Sequence, residues 1–410
     1  MMKPIRIAII GVGNIGTAHV NNLLANELKN VVLTGLCDNQ PEKLAKIREK
    51  LGESYLYFTH ATNVFSSSEI DAVIIATPHY DHPILAIEAL KAGKHVLIEK
   101  PVGVYTKKVQ EMLTEAKKHP ELTLALMYNQ RMNPLYQKAK ELVDSGEIGE
   151  LRRTNWIITD WYRSQSYYDS SNWRATWKGE GGGVLLNQDP HQLDLWQWIC
   201  GMPQRIFAFT YNGKRRNVEV ETEVTAYVEY QNGATGVFVT TTTETPGTNR
   251  FEIVGSKGKI VIEDQQLKFW QTRIDETTWN QTYTGGFGEP EVWSIKIPVT
   301  FDNESGHKKI TQNFINHILF QEELVSPAEE GIKGLSISNA IHLSSWLQEW
   351  VPLPINEHLF LEELTKKIET STEKQRAEVI LDTKKRIRKK EKQNGWCRNN
   401  RLWCNCPNTC

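Results

Sequence analysis

Ile5-Arg6-Ile7-Ala8-Ile9-Ile10 runs without a spacer into Gly11-Val12-Gly13-Asn14-Ile15-Gly16, and no other junction constrains the fold of this chain as much. A β-branched run with so little alternation predicts a strand buried on both faces, as in a parallel sheet covered by helices. A Gly-x-Gly-x-x-Gly between that strand and the helix-compatible residues 17–28 marks a dinucleotide-binding βαβ unit. Gly11 allows the tight turn, Gly13 the close approach of a pyrophosphate, and Gly16 the packing of helix on strand. The N–H groups near Asn14 and Ile15, where the helix begins, then face the phosphates. A second strand, residues 31–37, ends at Asp38, about 20 residues beyond Gly16, where a carboxylate accepts ribose hydroxyls and repels a 2′-phosphate. Asn39 and Gln40 follow, with no arginine to hold that phosphate, so NAD is expected in preference to NADP.

The alternation continues. Residues 41–51, 83–91 and 106–118 read as helices, and 71–77, 95–98 and 123–127 as buried strands. Open α/β sheets bind ligands at the carboxyl ends of their strands. That edge collects the loop Pro78-His79-Tyr80-Asp81-His82, then Glu99-Lys100-Pro101, then Tyr128-Asn129-Gln130-Arg131. Thr77, Pro78, His82, Glu99, Lys100 and Asn129 are therefore expected along the cofactor. Lysine is usually a solvated surface residue. Lys100, just past a buried strand at the ligand edge, is instead placed to bond a substrate oxygen and stabilise developing negative charge. Glu99 either keeps it protonated or turns into the strand's own network.

At 410 residues the chain exceeds one ordinary core, which predicts two domains. Its net charge of −1 provides no pull toward nucleic acid or membrane. The opening residues lack the apolar core and cleavage site of a signal peptide, and a cytoplasmic location is expected. Cys37 and Cys200 sit in apolar contexts as small hydrophobes. Cys397, Cys404, Cys406 and Cys410 lack the paired spacing of zinc knuckles, so no metal site is expected.

A second feature is Gly179-Glu180-Gly181-Gly182-Gly183-Val184-Leu185-Leu186-Asn187-Gln188-Asp189-Pro190-His191-Gln192-Leu193-Asp194. A triple glycine lets backbone approach a flat ligand. One helix through the following residues would place Asn187, His191 and Asp194 near one face, with Pro190 suited to its first turn. His191 is the expected proton-transfer group, with Asn187 and Asp194 holding its imidazole. A capped, half-buried structural histidine is the alternative.

The segment before it is aromatic and basic: Trp161-Tyr162-Arg163, Tyr167-Tyr168, Trp173-Arg174 and Trp177-Lys178. Rings cover the C–H faces of sugars while arginines reach hydroxyls, so Tyr162, Arg163, Trp173, Arg174 and Trp177 are expected to bind substrate. The same composition also suits an interface. Residues 204–299 alternate as antiparallel strands, with a hairpin signal at Asn232-Gly233. One face of that sheet should stay open and pair with a second copy, giving a homodimer or homotetramer. Residues 310–322 and 334–350 read as helices packing back on the first unit. Residues 357–369 read as a last helix, followed by a basic run from Lys384 to Lys392 and a patternless, cysteine-containing end.

Taken together, IAIIGVGNIGTAHV, the acid of GLCDNQPEKL, AVIIATPHYDHPILAIEALKAGKHVLIEKPVGV, NQRMNPLYQKAKELVDSGEIGEL and GGGVLLNQDPHQLDLWQWICGMP resemble the Gfo/Idh/MocA oxidoreductases. The resemblance runs in family order from residue 5 to about 350. It implies an N-terminal Rossmann domain with a parallel sheet (1–130) and an α+β domain with a large, mostly antiparallel open sheet (131–355). Residues 356–410 form a tail outside that pattern. It further implies NAD-dependent hydride transfer to or from a sugar or polyol hydroxyl. Lys100 matches the lysine of the family's Glu-Lys-Pro motif, and His191 its catalytic histidine. Asn187 departs from the aspartate that many family dehydrogenases carry there. An NAD-dependent glycosidase or lyase, oxidising a ring hydroxyl transiently, is the alternative that the resemblance leaves open.

Overall fold

The structure, a computed structural model, describes residues 3–302 and 304–372. The basic run and the four late cysteines lie outside the described residues.

Strands β1 (Ile5–Ile10), β2 (Val31–Cys37), β3 (Leu56–Phe58), β4 (Ala72–Ile75), β5 (His95–Ile98) and β6 (Leu124–Leu126) form the first sheet. All neighbours are parallel, in the order β3-β2-β1-β4-β5-β6. Helices α1 (Asn14–Leu24), α2 (Pro41–Leu51), α3 (Ala61–Phe65), α4 (Asp81–Lys91) and α5 (Thr106–Ala116) link them. Because helices cover both faces, β4 is buried at every residue and β1 at all but Arg6. The strand order reverses between β1 and β4, and the crevice at that switch point is where such sheets take ligands.

After α6 (Pro134–Asp144) the chain builds a nine-stranded sheet. Its strands are β7 (Leu151–Ile158), β8 (Arg205–Asn212), β9 (Glu221–Glu229), β10 (Thr235–Thr241), β11 (Asn249–Gly255), β12 (Gly258–Glu263), β13 (Gln266–Thr272), β14 (Val292–Ile295) and β15 (Val351–Pro352). Only β7 and β10 run parallel; every other pair is antiparallel. The short α7 (Gln165–Tyr168) and α8 (Val184–Asn187) and the longer α9 (Pro190–Cys200) lie between β7 and β8, and α10 (Glu276–Thr282) between β13 and β14. On the inner face Trp156 stacks on Phe251 at 4.1 Å and Trp196 of α9 on Phe238 at 5.4 Å. The Trp196 indole also donates to Thr154 Oγ1 at 3.0 Å, which sets α9 on the sheet. The outer face leaves Ile157, Phe209, Tyr211 and Tyr227 exposed.

Helices α11 (Gly306–Phe320), α12 (Ala328–Leu347) and α13 (Glu357–Glu369) are the last helices of the described residues. Ile310, Phe314 and Ile315 of α11 share a core with β1 and β2. Helix α12 is buried without a break from residue 337 to 344, polar Ser338, Asn339, His342 and Ser344 included, as a helix enclosed between two layers is; its Gly331 and Gly334 let it lie close against Leu126 and α9. The two sheets are thus joined through shared helices. Sequence pattern did not indicate β3, α3, α10 or β14, all short and part-exposed. Among the described residues no helix is long and apolar enough to cross a membrane.

Candidate active site

At the switch point, Gly11 takes φ +92°, a left-handed conformation that favours glycine. A Cβ at Gly16 would lie 1.8 Å from the Gly11 carbonyl oxygen, whereas a Cβ at Gly13 would meet nothing within 4 Å. Gly16 therefore serves helix packing, and Gly13 keeps the mouth open. Gly13 is the N-cap of α1 and no side chain caps it, so the first N–H groups, from Asn14 and Ile15 onward, stay available to an anion. Asp38 accepts from the N–H of Val12 at 2.9 Å and of Gln40 at 3.0 Å, which fixes its carboxylate beside the glycine turn. Thr77 Oγ1 and Asn129 Oδ1 are buried along the same edge without a partner among the described residues. Anion-binding amides, a fixed acid and orphaned polar atoms in that sequence fit a dinucleotide.

The loops after β5 and before α9 meet at one end of this crevice. Lys100 donates from Nζ to the backbone carbonyl of Asn187 at 2.7 Å. Burial lowers its pKa; Glu99 opposes this, and Arg174 and Arg163 add to it. Burial lowers the His191 pKa to about 3, with the Lys100 charge acting in the same direction. The imidazole is therefore neutral near pH 7. Its Nδ1 has no partner among the described residues, and its ring meets the edge of Tyr128 at 6.0 Å. A neutral imidazole and a lysine of reduced basicity, both at the end of a dinucleotide cradle, can bind a hydroxyl and receive its proton.

Several expected contacts are made otherwise. The single helix through Asn187, His191 and Asp194 is broken at Gln188-Asp189, because the residue before a proline disfavours the helical conformation. Pro190 opens α9 instead. Asp194 does not hold the imidazole: its carboxylate takes both arms of Arg131, at 2.6 and 2.8 Å, with the pair 1% and 2% exposed. Asn187 does not hold it either. Its amide donates to Glu180, and its oxygen accepts from the Tyr167 hydroxyl at 3.4 Å. Glu99 turns away from the Lys100 ammonium: Oε1 takes His19 at 2.8 Å and Oε2 the Lys100 N–H at 3.1 Å. Between His19, His307 and Lys100, its pKa falls to about 2 although burial pushes it up.

His82 was expected on the cofactor, but both its ring nitrogens are taken, by the carbonyls of Pro101 at 2.7 Å and Thr77 at 2.8 Å. It ties the β4 and β5 loops together and positions Pro78 and Lys100 indirectly. Trp177, expected on substrate, is 4% exposed and packs edge-on against His342 and Trp346 in the core. Tyr162 is 47% exposed, with Arg216 over its ring. Trp173 and Arg174 stay near the cleft. Trp173 meets His79 at 5.5 Å, and Arg174 lies over both Trp173 and Tyr167 at 4.6 and 4.5 Å. Arg163 covers the Tyr167 ring at 5.1 Å.

Four groups of the cleft were not singled out from sequence. Glu180 backs Asn187 and accepts from the Ala175 N–H; its burial raises its pKa, with Arg174 opposing. Tyr167 joins Arg174, Asn187 and Gln188 through one hydroxyl. His19, three residues past Gly16, lies on the buried face of α1 and meets Glu99. His307 reaches Asn129 at 2.9 Å from the start of α11, and no local pattern announces it. Among the described residues no group of three or more His, Cys, Asp or Glu side chains is placed to hold a metal ion.

Comparison with known proteins agrees with this geometry. The chain is 28% identical over 63% of its length to the myo-inositol 2-dehydrogenase of Thermotoga maritima, covering 75% of that protein. It is 25% identical to the levoglucosan dehydrogenase of Pseudarthrobacter phenanthrenivorans, over 86% of this chain and 99% of that one. Among solved structures, the WlbA dehydrogenase of Bordetella pertussis in complex with NADH and UDP-GlcNAcA superposes with a TM-score of 0.73 at 25% identity, covering 86% of this chain and 100% of that one. Residues 136–261 match the GFO/IDH/MocA C-terminal domain, and residues 5–126, which carry the glycine turn, Asp38 and Lys100, match the oxidoreductase family with an NAD-binding Rossmann fold. With both halves matched in order, the chain belongs to the Gfo/Idh/MocA oxidoreductases.

Proposed function

We propose that this protein is an NAD-dependent dehydrogenase of a sugar or polyol. The observation that supports it most is the meeting of Lys100 and His191, carried by separate domains, at the open end of the dinucleotide cradle. The names of the relatives, an inositol dehydrogenase, a levoglucosan dehydrogenase and a dehydrogenase holding NADH with a nucleotide sugar, point to the same chemistry.

Bound in the cradle, the nicotinamide supplies the hydride acceptor or donor. The chain's residues do the rest. Gly11, Gly13 and Gly16 shape the turn for the pyrophosphate, and the N–H groups of Asn14 and Ile15 receive its charge. Asp38 takes the ribose hydroxyls with its remaining lone pairs and disfavours a 2′-phosphate. Thr77, Pro78 and Asn129 line the path toward the reacting end. Lys100 Nζ bonds the substrate oxygen and stabilises its negative charge as the C–H bond breaks. His191, neutral before the reaction, accepts the hydroxyl proton. Trp173 and Arg174 border the substrate, with Asn187 held by Glu180 beneath. Expected results are loss of turnover in His191→Ala and Lys100→Ala with NAD affinity retained, and a kcat/KM preference for NAD over NADP. Near-normal turnover in both variants, or a strong NADP preference, would overturn the proposal.

Transient oxidation followed by elimination differs in leaving no net NADH, so absorbance read beside product analysis separates the two routes. The open sheet face with Ile157, Phe209, Tyr211 and Tyr227 supports a homodimer or homotetramer through that sheet. Sedimentation of Phe209→Glu beside the parent tests it: a parent that sediments as a monomer sinks the assembly.

A further inference from the structure

We infer that the substrate carries an anionic group, a carboxylate or a phosphate, which pairs with Arg163. The inference rests on the cleft being a sugar site, and it adds the class of sugar. Three cations converge there: Lys100 at the reacting end, then Arg174, then Arg163. The charges of both arginines reach Lys100 and lower its pKa. The buried Glu180 carboxylate lies 3.7 Å from Arg174. Glu99 is already engaged with His19. Arg163 has no carboxylate partner among the described residues.

Its geometry is that of a prepared binding group. The Arg163 N–H donates to the Thr242 carbonyl at 2.8 Å, and its own carbonyl accepts from Arg216 Nε at 2.8 Å. The guanidinium lies over Trp161 at 5.6 Å and Tyr167 at 5.1 Å. Nη1 is held by the carbonyls of Trp161 and Tyr162, at 3.2 and 3.0 Å. The Nε–Nη2 edge makes no hydrogen bond to the described residues, and that edge is the fork that takes two oxygens of a carboxylate or phosphate at once. The ring beneath it leads inward, since the Tyr167 hydroxyl bonds Asn187, whose carbonyl carries Lys100. A solvated arginine would need none of these supports. Locking the guanidinium in advance removes an ordering cost that binding would otherwise meet.

The test is calorimetric titration of the NAD-loaded protein with three sets of probes: D-glucuronate and D-galacturonate, the 6-phosphates of D-glucose and D-galactose, and the neutral parent hexoses. At least one anion is expected to bind about tenfold or more tighter than its parent, as a charge-assisted pair requires. The uronates and phosphates tell the two anion sources apart. In Arg163→Gln the ratio should fall to about one, and Arg163→Lys should keep part of it. Neutral hexoses binding as tightly as both anions, an anion preference that survives Arg163→Gln, or no binding by any probe overturns the inference. NADH formation with the same probes is read separately. Turnover of neutral sugars without anion preference defeats only this inference, whereas anion preference without any NADH defeats only the dehydrogenase proposal.

Discussion

Replacing Asp194 by asparagine separates what the local sequence suggests for this residue from what the fold does with it. If Asp194 oriented the imidazole, Asp194→Asn would lower kcat and leave stability nearly unchanged. In the structure the carboxylate is bidentate on Arg131 and also accepts from Gln197 at 3.2 Å, with both members of the pair almost fully enclosed. Removing one charge of a buried pair leaves the other uncompensated, which costs about 3–5 kcal/mol. Glu330, 3.5 Å from Arg131, remains and places the loss near the lower end, about 3 kcal/mol. For a chain of this size that lowers Tm by roughly 3–4 °C. Differential scanning calorimetry on Asp194→Asn should show this fall, while kcat stays within about threefold of the parent. The double variant Arg131→Met/Asp194→Leu should recover most of the loss, because an apolar replacement of both partners leaves no buried charge. An unchanged Tm with a hundredfold fall in kcat would refute the reasoning and return Asp194 to the imidazole.

Three further outcomes follow from the site. Gly13→Ala should raise the Kd for NAD at least about tenfold with the apo Tm unchanged, because its Cβ meets only the space the pyrophosphate needs; Gly16→Ala should lower Tm itself, since its Cβ lies 1.8 Å from a backbone oxygen. Asn187→Asp should lower kcat near neutral pH and partly recover in acid, because the new carboxylate faces Glu180 where the amide now donates; a higher kcat at pH 7 would oppose this. Burial pushes the Asp189 pKa up to about 8, so the folded chain holds a proton that the unfolded chain has released above its ordinary 3.8. Its contribution to stability is present below that ordinary value and is lost as pH rises toward 8. The Tm of Asp189→Asn relative to the parent should therefore increase from pH 5 to pH 8, and a constant difference would contradict the assignment.

Local sequence was enough for the parallel sheet, the glycine turn and the strand β5 that ends just before Lys100, because each depends on residues close together in the chain. A β-branched strand, three glycines at fixed spacing and an acid at the next strand end are local instructions. Likewise the alternation of residues 204–299 predicted the strands as far as Thr272, while 276–282 forms the short helix α10 instead. What side chains bond to across the fold was decided only by tertiary structure. Asp194 and Arg131 are 63 residues apart, and Glu99 and His19 are 80 apart. Each buried charge takes the partner that packing brings near, since leaving it unpaired in a dry interior is too costly. Sequence spacing put Asp194 beside His191, but the seating of α9 on the large sheet turned its carboxylate to Arg131. Trp177 follows the same logic, an aromatic residue drawn into the core by α12 although its neighbours line the cleft. For Asn187, the contrast with the aspartate of many family dehydrogenases came from the resemblance, and the fold placed Glu180 behind its amide.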